Sequence, residues 1–261
     1  MRRRGVAATL FALLLPALAC DHLAAEDNPL IHIAEGMWSE HWRLPEILAA
    51  KYQVSESFLT SRYGFATALK DFPEKKEDFL KNKVLVMANI SADAFARAGS
   101  FRGMRDVKGR SVDWVEEFVT NGGGLLVLSG NYSLGIGDKI KATPLEKVLP
   151  AEIQEKDIDL EKQNKPFVFE SAAKHQILDG VTFDEKPMTL FFHEVKPKAA
   201  ATVVIKAGDT PILIAGTYGK GRVILLTATL HGDLQPPNVP YWKWKSWDRL
   251  MLNCVDWLAG K

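Results

Sequence analysis

Two polar segments carry the side chains whose types suit nucleophilic chemistry. Ser129 and Ser133 follow an apolar run that ends at Leu128, and His231 and Asp233 follow a later one. A hydroxyl becomes a nucleophile when an imidazole accepts its proton and a carboxylate orients that imidazole. Loop serines also routinely hydrogen-bond the backbone N–H groups around them. We favour this capping role, because an unactivated serine is a poor nucleophile.

Further polar and aromatic residues follow neighbouring predicted strands. In open α/β sheets the carboxyl ends of the strands form the ligand crevice. Trp38, His41 and Trp42 have rings that could stack on a planar or sugar-like ligand, although one or two of them are expected to pack in the core or at its rim. The ligand-binding candidates at this edge are Glu35, Trp38, Asn89, Ser91, Asn131, Tyr132, His231 and Asp233.

The other histidines and the glycine motifs indicate no cofactor and no metal. The six histidines are scattered, without an H-E-x-x-H motif or paired cysteines. Gly219-Lys220-Gly221 lacks the residues of a phosphate loop, and Gly122-Gly123-Gly124 precedes a strand rather than opening a helix. His193, in the alternating segment from Phe191 to Val195, is predicted to hydrogen-bond within a sheet, and His175 to be structural.

The N-terminus has the composition of a secretory signal. Three arginines precede a short apolar run that ends at Ala19, and this run falls short of the ~20 residues that span a bilayer. Ala17-Leu18-Ala19 fits ordinary cleavage, and the same residues followed by Cys20 fit the lipobox of a bacterial lipoprotein. We favour lipidation of Cys20, because its only possible disulfide partner, Cys254, lies in a predicted terminal helix. Ordinary cleavage stays open.

Charge and length limit the remaining classes of function. Without residues 1–19, 30 basic residues stand against 32 acidic ones, which is too balanced to predict binding to nucleic acid or to a membrane surface. Membrane contact is therefore expected only through a lipid on Cys20. We divide the chain into a signal peptide at 1–19, a flexible tail at 20–29 and one domain at 30–261.

Apolar patterns predict the elements that position these residues. Continuous apolar runs at 30–34, 84–88 and 125–128 indicate buried strands, and helical spacing at 110–121 places a helix between the last two, as in a parallel sheet. The second half is richer in short strands. They are predicted at 167–169, 189–195, 202–206, 211–217 and 222–227, with a hairpin turn at 219–221 and a closing helix at 247–258.

Four stretches together resemble the class I glutamine amidotransferase-like superfamily, particularly its uncharacterised bacterial branch. They are GGGLLVLSGNYSLGIGDKIKATPLEKVLPAEI from Gly122, HQILDGV from His175, PILIAGTYGKGRVILLTATLHGD from Pro211 and the W-x-x-L-x-x-N-x-x-x-W-L pattern from Trp247. Similarity to trehalose-utilisation-type domains is looser. The resemblance implies a flavodoxin-like α/β fold: an open, mostly parallel sheet with helices on both faces, a β-hairpin-rich C-terminal half and a closing helix.

The resemblance also shows what this sequence lacks. In catalytic members a cysteine on a sharp strand-to-helix turn attacks the amide of glutamine, and a histidine and a glutamate activate it. Here the segment from Ser129 to Ser133 contains no cysteine, and His231-Gly232-Asp233 stands at the His-x-Glu position. We therefore expect a non-catalytic, exported domain, periplasmic or membrane-anchored, that binds a ligand or an envelope protein in the strand-end crevice.

Two other functions stay open at this stage. One is a hydrolase or amidotransferase that uses Ser133 or Ser129 with His231. The other is an assembly module of a cell-envelope complex, with the aromatic segment from Pro236 to Trp247 as its interface. For that segment we favour a role in covering the sheet, since so much apolar area would otherwise be exposed.

Overall fold

A computed structural model describes residues 28–62, 65–90, 94, 110–130, 133–134, 143–154 and 158–261. The strands in these ranges are β1 (Leu30–Glu35), β2 (Gln53–Arg62), β3 (Phe65–Lys70), β4 (Val84–Ala88), β5 (Gly124–Leu128), β6 (Ala151–Ile153), β7 (Phe167–Val168), β8 (Glu170–Ser171), β9 (Met188–Thr189), β10 (Val195–Pro197), β11 (Thr202–Ala207), β12 (Thr210–Tyr218) and β13 (Gly221–Leu226). The helices are α1 (Leu44–Ala49), α2 (Lys76–Phe79), α3 (Arg110–Thr120), α4 (Pro144–Val148), α5 (Leu160–Gln163) and α6 (Trp247–Ala259).

The main sheet has the order β3-β2-β1-β4-β5-β13-β12-β11-β8 within the described residues. Its central strands, in the order β2-β1-β4-β5-β13, are all parallel. The strands at both sides, β3, β12, β11 and β8, pair antiparallel. The flavodoxin-like α/β fold predicted from the sequence is therefore confirmed, with a parallel centre and antiparallel flanks.

Both faces of the sheet are covered by helices. The strands β4 and β5 are buried along their whole length, as their continuous apolar runs predict. In β1 the side chains alternate: Ile31 and Ile33 pack with α1 and α6 on one face, and Ala34 packs with α2, α3 and α4 on the other. The crevice residues therefore project from a rigid, two-sided core.

The aromatic segment before α6 belongs to this core. Tyr241, Trp244 and Trp247 are almost completely buried. The indole N–H of Trp42 donates to the Tyr241 hydroxyl at 3.0 Å, and the indole N–H of Trp247 donates to the Trp42 carbonyl at 3.0 Å. The predicted covering role is confirmed, and these rings do not form an exposed aromatic interface.

One predicted strand is wrong. The segment from Thr189 to Val195 is not continuous; it is split between β9 and β10, which belong to different two-stranded sheets. Between them Phe192 forms a single bridge to Ala228. Phe191, Phe192 and His193 are all buried, and their backbone–backbone hydrogen bonds in the described chain reach only the short stretch 227–229, so the apolar residues here mark burial on both sides of an irregular segment.

Candidate functional site

The carboxyl ends of three parallel strands meet at Asn89, which follows β4. Asn89 has a left-handed backbone (φ 49°) and is completely buried. Its N–H donates to the carbonyl of Leu128 at 2.9 Å, and its Nδ2 donates to the carbonyl of Met37 at 2.6 Å. A Cβ atom added to Gly36 would lie 1.8 Å from the backbone carbonyl oxygen of Asn89. A Cβ atom added to Gly130 would lie 2.0 Å from the side-chain amide of Asn89. The loops after β1, β4 and β5 are thus packed against one another as one unit.

Glu35 places a titratable group at this junction. It ends β1, in register with Phe58 of β2 and Ala88 of β4, and is only 8% exposed. Burial, together with the negative charges of Glu56 and Glu40, raises the pKa of the Glu35 carboxyl to about 7, against a hydrogen bond from Ser39. The carboxyl therefore exchanges its proton near neutral pH and can act as a donor or an acceptor.

Exposed apolar side chains lie close to Glu35 in the chain and on the neighbouring strand, where Phe58 is its register partner. Met37, Trp38 and Phe58 are 40%, 41% and 43% exposed. Trp38, like Asn89, has a left-handed backbone (φ 62°), which follows from the tight turn between β1 and the helical turn Ser39–Trp42. An aromatic ring beside a carboxyl is a common way to hold an organic ligand at a strand end.

The other two aromatic candidates in this loop are engaged. Trp42 is fully buried, so its ring packs in the core and does not face a ligand. His41 stacks on Trp242 with the ring centroids 6.4 Å apart and the planes at 9°. The expectation that part of this aromatic set serves packing is thus confirmed.

Ser133 is held by the backbone of Gly130. Its Oγ accepts from the Gly130 N–H at 2.8 Å and donates to the Gly130 carbonyl at 3.3 Å. The same carbonyl accepts from His193 Nε2 at 2.8 Å. Since a carbonyl only accepts, the proton must be on Nε2 of His193. Among the described residues, the imidazole that contacts this turn is therefore that of His193, and it donates to the backbone carbonyl of Gly130.

Ser129 differs from Ser133. Its N–H donates to the carbonyl of Leu226 at 3.0 Å, which continues the ladder between β5 and β13. Its Oγ is fully buried and has no hydrogen-bond partner in the part of the chain that the structure describes. A buried hydroxyl without a partner is uncommon and calls for an explanation.

His231 and Asp233 lie in the loop that follows β13. The His231 ring packs edge-on against Phe191 with centroids 4.9 Å apart, and its backbone N–H donates to Thr229 Oγ1 at 3.2 Å. Asp233 is exposed and accepts from Gln235 Nε2 at 2.5 Å. None of these described contacts joins His231 to Ser129 or Ser133.

Sequence reasoning missed an imidazole between two hydroxyls inside the sheet. His32 Nδ1 lies 2.8 Å from Ser55 Oγ, and His32 Nε2 lies 3.0 Å from Ser57 Oγ. Burial lowers the pKa of His32 to about 4, so the ring is neutral at pH 7. His32 is 2% exposed and Ser57 is completely buried, so this trio is structural. The alternation of His32 with Ile31 and Ile33 was the available signal.

His175 has the structural role predicted for it. Its Nδ1 accepts from the Ile177 N–H at 3.2 Å, so its side chain caps the helical turn Gln176–Leu178. Its ring packs edge-on against Trp257, with centroids 5.4 Å apart.

Several predicted residues lie outside the described chain. These are Ser91, Asn131, Tyr132 and Cys20. In the described ranges, His, Cys, Asp and Glu side chains form no group of three that could hold a metal ion. In the same ranges, every helix is too short or too polar to cross a bilayer.

The comparisons with known proteins agree with this architecture. The family model described as "Putative glutamine amidotransferase" (GATase1_like) matches residues 46–260. No curated protein matches the sequence.

Three solved structures have a similar fold. A cytoplasmic protein from Salmonella typhimurium is 20% identical, with a TM-score of 0.70 over 88% of this chain and 98% of that one. A second cytoplasmic protein from Salmonella typhimurium LT2 is 17% identical, with a TM-score of 0.66 over 88% and 99%. A ThuA-like protein from Parabacteroides merdae is 14% identical, with a TM-score of 0.51 over 90% and 91%. At these identities the likeness establishes the fold alone.

Proposed function

The chain belongs to the glutamine amidotransferase-like family, and from this premise we propose that it is an exported, non-catalytic member that binds a ligand or a protein partner at the carboxyl ends of its parallel strands. The observation that carries the proposal is the double hydrogen bond between Ser133 and Gly130. These two hydrogen bonds engage the Ser133 hydroxyl, which lies in the turn where catalytic relatives carry their nucleophile. The segment from Ser129 to Ser133 contains no cysteine.

Glu35 and the residues around it support binding at this edge. A nearly buried carboxyl with a raised pKa costs stability when it is ionised, and such costs are concentrated at functional sites. Beside it, Trp38 and Phe58 offer exposed aromatic area that a ligand could cover. The packed loops around Asn89 hold these groups in place, so a ligand would meet a preformed surface.

The binding proposal is tested with a compound library and a thermal-shift readout. Ligands of the crevice should raise the melting temperature of the wild-type protein, and Trp38→Ala should weaken them at least about fivefold, as expected when an aromatic contact is lost. Glu77→Gln, an exposed carboxylate on α2, is the control and should bind like the wild type. Hits that bind Trp38→Ala as tightly as the wild type would place ligand binding elsewhere.

Export rests on the leader at residues 1–19, with Cys20 as the lipid carrier. The two Salmonella proteins are described as cytoplasmic, so this chain would differ from them in location. Mass spectrometry of the mature protein is the test. A diacylglyceryl adduct on Cys20 is expected; an intact Met1 would contradict export, and an unmodified N-terminus at residue 20 would indicate ordinary cleavage.

One observation favours a second function, a serine-dependent hydrolase. The unpartnered hydroxyl of Ser129 directly follows β5, at the position from which a strand-end nucleophile is presented. An ester or amide hydrolase activity that disappears in Ser129→Ala and persists in Ser133→Ala would support this function over the first.

A further inference from the structure

A second cleft lies apart from the strand-end crevice, between α5, β7 and the turn that joins β11 to β12. Its volume is about 360 Å³, and its lining includes Gln163, the rings of Phe167 and Phe192, two lysines (Lys162 and Lys165) and two carboxylates (Glu194 and Asp209). That volume suits a small organic ligand. The proposed function uses none of these residues.

The amide of Gln163 has a fixed orientation in this cleft. Gln163 is 3% exposed, and its Oε1 accepts from the backbone N–H of Phe192 at 2.9 Å. Because an N–H group only donates, the oxygen must face Phe192, and the NH₂ group must be on the other side. Within the described residues this NH₂ group has no hydrogen-bond partner. The two amide donors are therefore available to an acceptor that enters the cleft.

Positive charge and aromatic surface flank the amide. Lys162 and Lys165 are exposed and form no ion pair within the described residues. The rings of Phe167 and Phe192 form an edge-to-face wall, with centroids 4.9 Å apart and planes at 81°. The ammonium of Lys165 lies 5.3 Å from the Phe167 centroid. Glu194 and Asp209 also line the cleft, so two carboxylates stand beside the two ammonium groups.

We propose that this cleft is a second binding site, for a small carboxylate that carries an aromatic or aliphatic group. The carboxylate would accept from the Gln163 amide, with Lys162 and Lys165 supplying positive charge. The non-polar group would pack on the Phe167–Phe192 wall. Hydrogen bonds to a charged acceptor are the stronger kind, so the carboxylate should dominate recognition.

The test compares N-acetylphenylalanine with its alcohol, N-acetylphenylalaninol, by calorimetric and NMR titration of the mature chain at pH 8. The acid should bind at least about tenfold more tightly than the alcohol. It should shift the Gln163 side-chain amide and the ring signals of Phe167 and Phe192.

Gln163→Glu is the sharpest variant, because it keeps the acceptor for Phe192 and replaces the donor by a carboxylate. It should weaken the acid at least about tenfold. Gln53→Glu, which makes the same change at an exposed position of β2, should leave affinity unchanged. If Gln163→Glu does not fold, the double variant Lys162→Gln/Lys165→Gln takes its place, with an expected loss of about threefold to tenfold.

Three results would overturn the proposal. They are equal affinity for acid and alcohol, wild-type affinity in the folded Gln163 or double-lysine variant, and no binding of the acid at millimolar concentration. None of these results tests binding at the strand-end crevice, because binding there is tested separately with Trp38→Ala.

Discussion

Replacing Glu35 by glutamine should stabilise the protein at alkaline pH and leave it unchanged in acid. The carboxyl pKa is raised from 4.5 to about 7, first by burial and then by Glu56 and Glu40. Between pH 4.5 and pH 7, the folded state therefore holds a proton that the unfolded state has already released. The stability that this proton contributes is complete below pH 4.5 and is lost as pH rises through 7.

The size of the effect follows from the same two values. Their separation corresponds to about 3 kcal/mol once the group is ionised, and solvent at the open edge of the crevice reduces this to an expected 2–3 kcal/mol. Glutamine mimics the protonated carboxyl in shape and charge. The stability of Glu35→Gln minus that of the wild type should therefore rise from about zero at pH 4.5 to about 2–3 kcal/mol at pH 8.

Urea unfolding of both proteins at pH 4.5, 6 and 8 measures this difference. Glu77→Gln serves as the control and should give the same small difference at every pH. A pH-independent difference between Glu35→Gln and the wild type would refute the reasoning. It would mean that the carboxyl is solvated or paired in a way that leaves its pKa near the ordinary value.

The remaining predictions concern groups that hold the site in place. His32, with its pKa lowered to about 4 by burial, contributes stability that is complete above pH 6.5 and lost as pH falls toward 4. This loss should amount to about 2 kcal/mol between pH 7 and pH 4.5 in urea unfolding of the wild type, and His32→Phe should lack it; a parallel loss in both proteins would contradict the assignment. Gly36→Ala should destabilise by about 2 kcal/mol, because its Cβ would lie 1.8 Å from the Asn89 carbonyl; an unchanged melting temperature would show that the loop yields freely. Trp42→Phe should cost about 1–2 kcal/mol, because it leaves the buried Tyr241 hydroxyl without its donor, whereas a neutral result would mean that the bond to the Ala228 carbonyl suffices.

Much of the fold could be predicted because its signals are local. Val84–Ala88 is a strand buried on both sides, and its apolar run gives the bounds directly. Gly219 has a positive φ of 57° in the turn between β12 and β13, as the glycine pattern predicts. The strand predicted at 189–195 is wrong because apolar residues report burial and do not report a hydrogen-bonded neighbour along the whole segment.

The site was harder to predict, because its properties arise from distant segments. The place of Glu35 after β1 predicts its position at the strand ends, but its raised pKa depends first on burial and then on Glu56 of the neighbouring strand, and both follow only from the fold. His231 was paired with the serine turn by its motif position, whereas the imidazole that reaches Gly130 is that of His193. No periodicity in the sequence distinguishes these two histidines.

Ammonia release from glutamine by the purified mature protein tests the central proposal most directly. The assay is run beside Ser129→Ala, Ser133→Ala and His193→Asn, with folding verified for each. We expect no release above the buffer blank for any of the four proteins, because the Ser133 hydroxyl is bound to Gly130 and the described residues join no imidazole to the serines of this turn. Turnover by the wild type that is abolished in Ser129→Ala or Ser133→Ala would contradict the proposal and identify the protein as an enzyme.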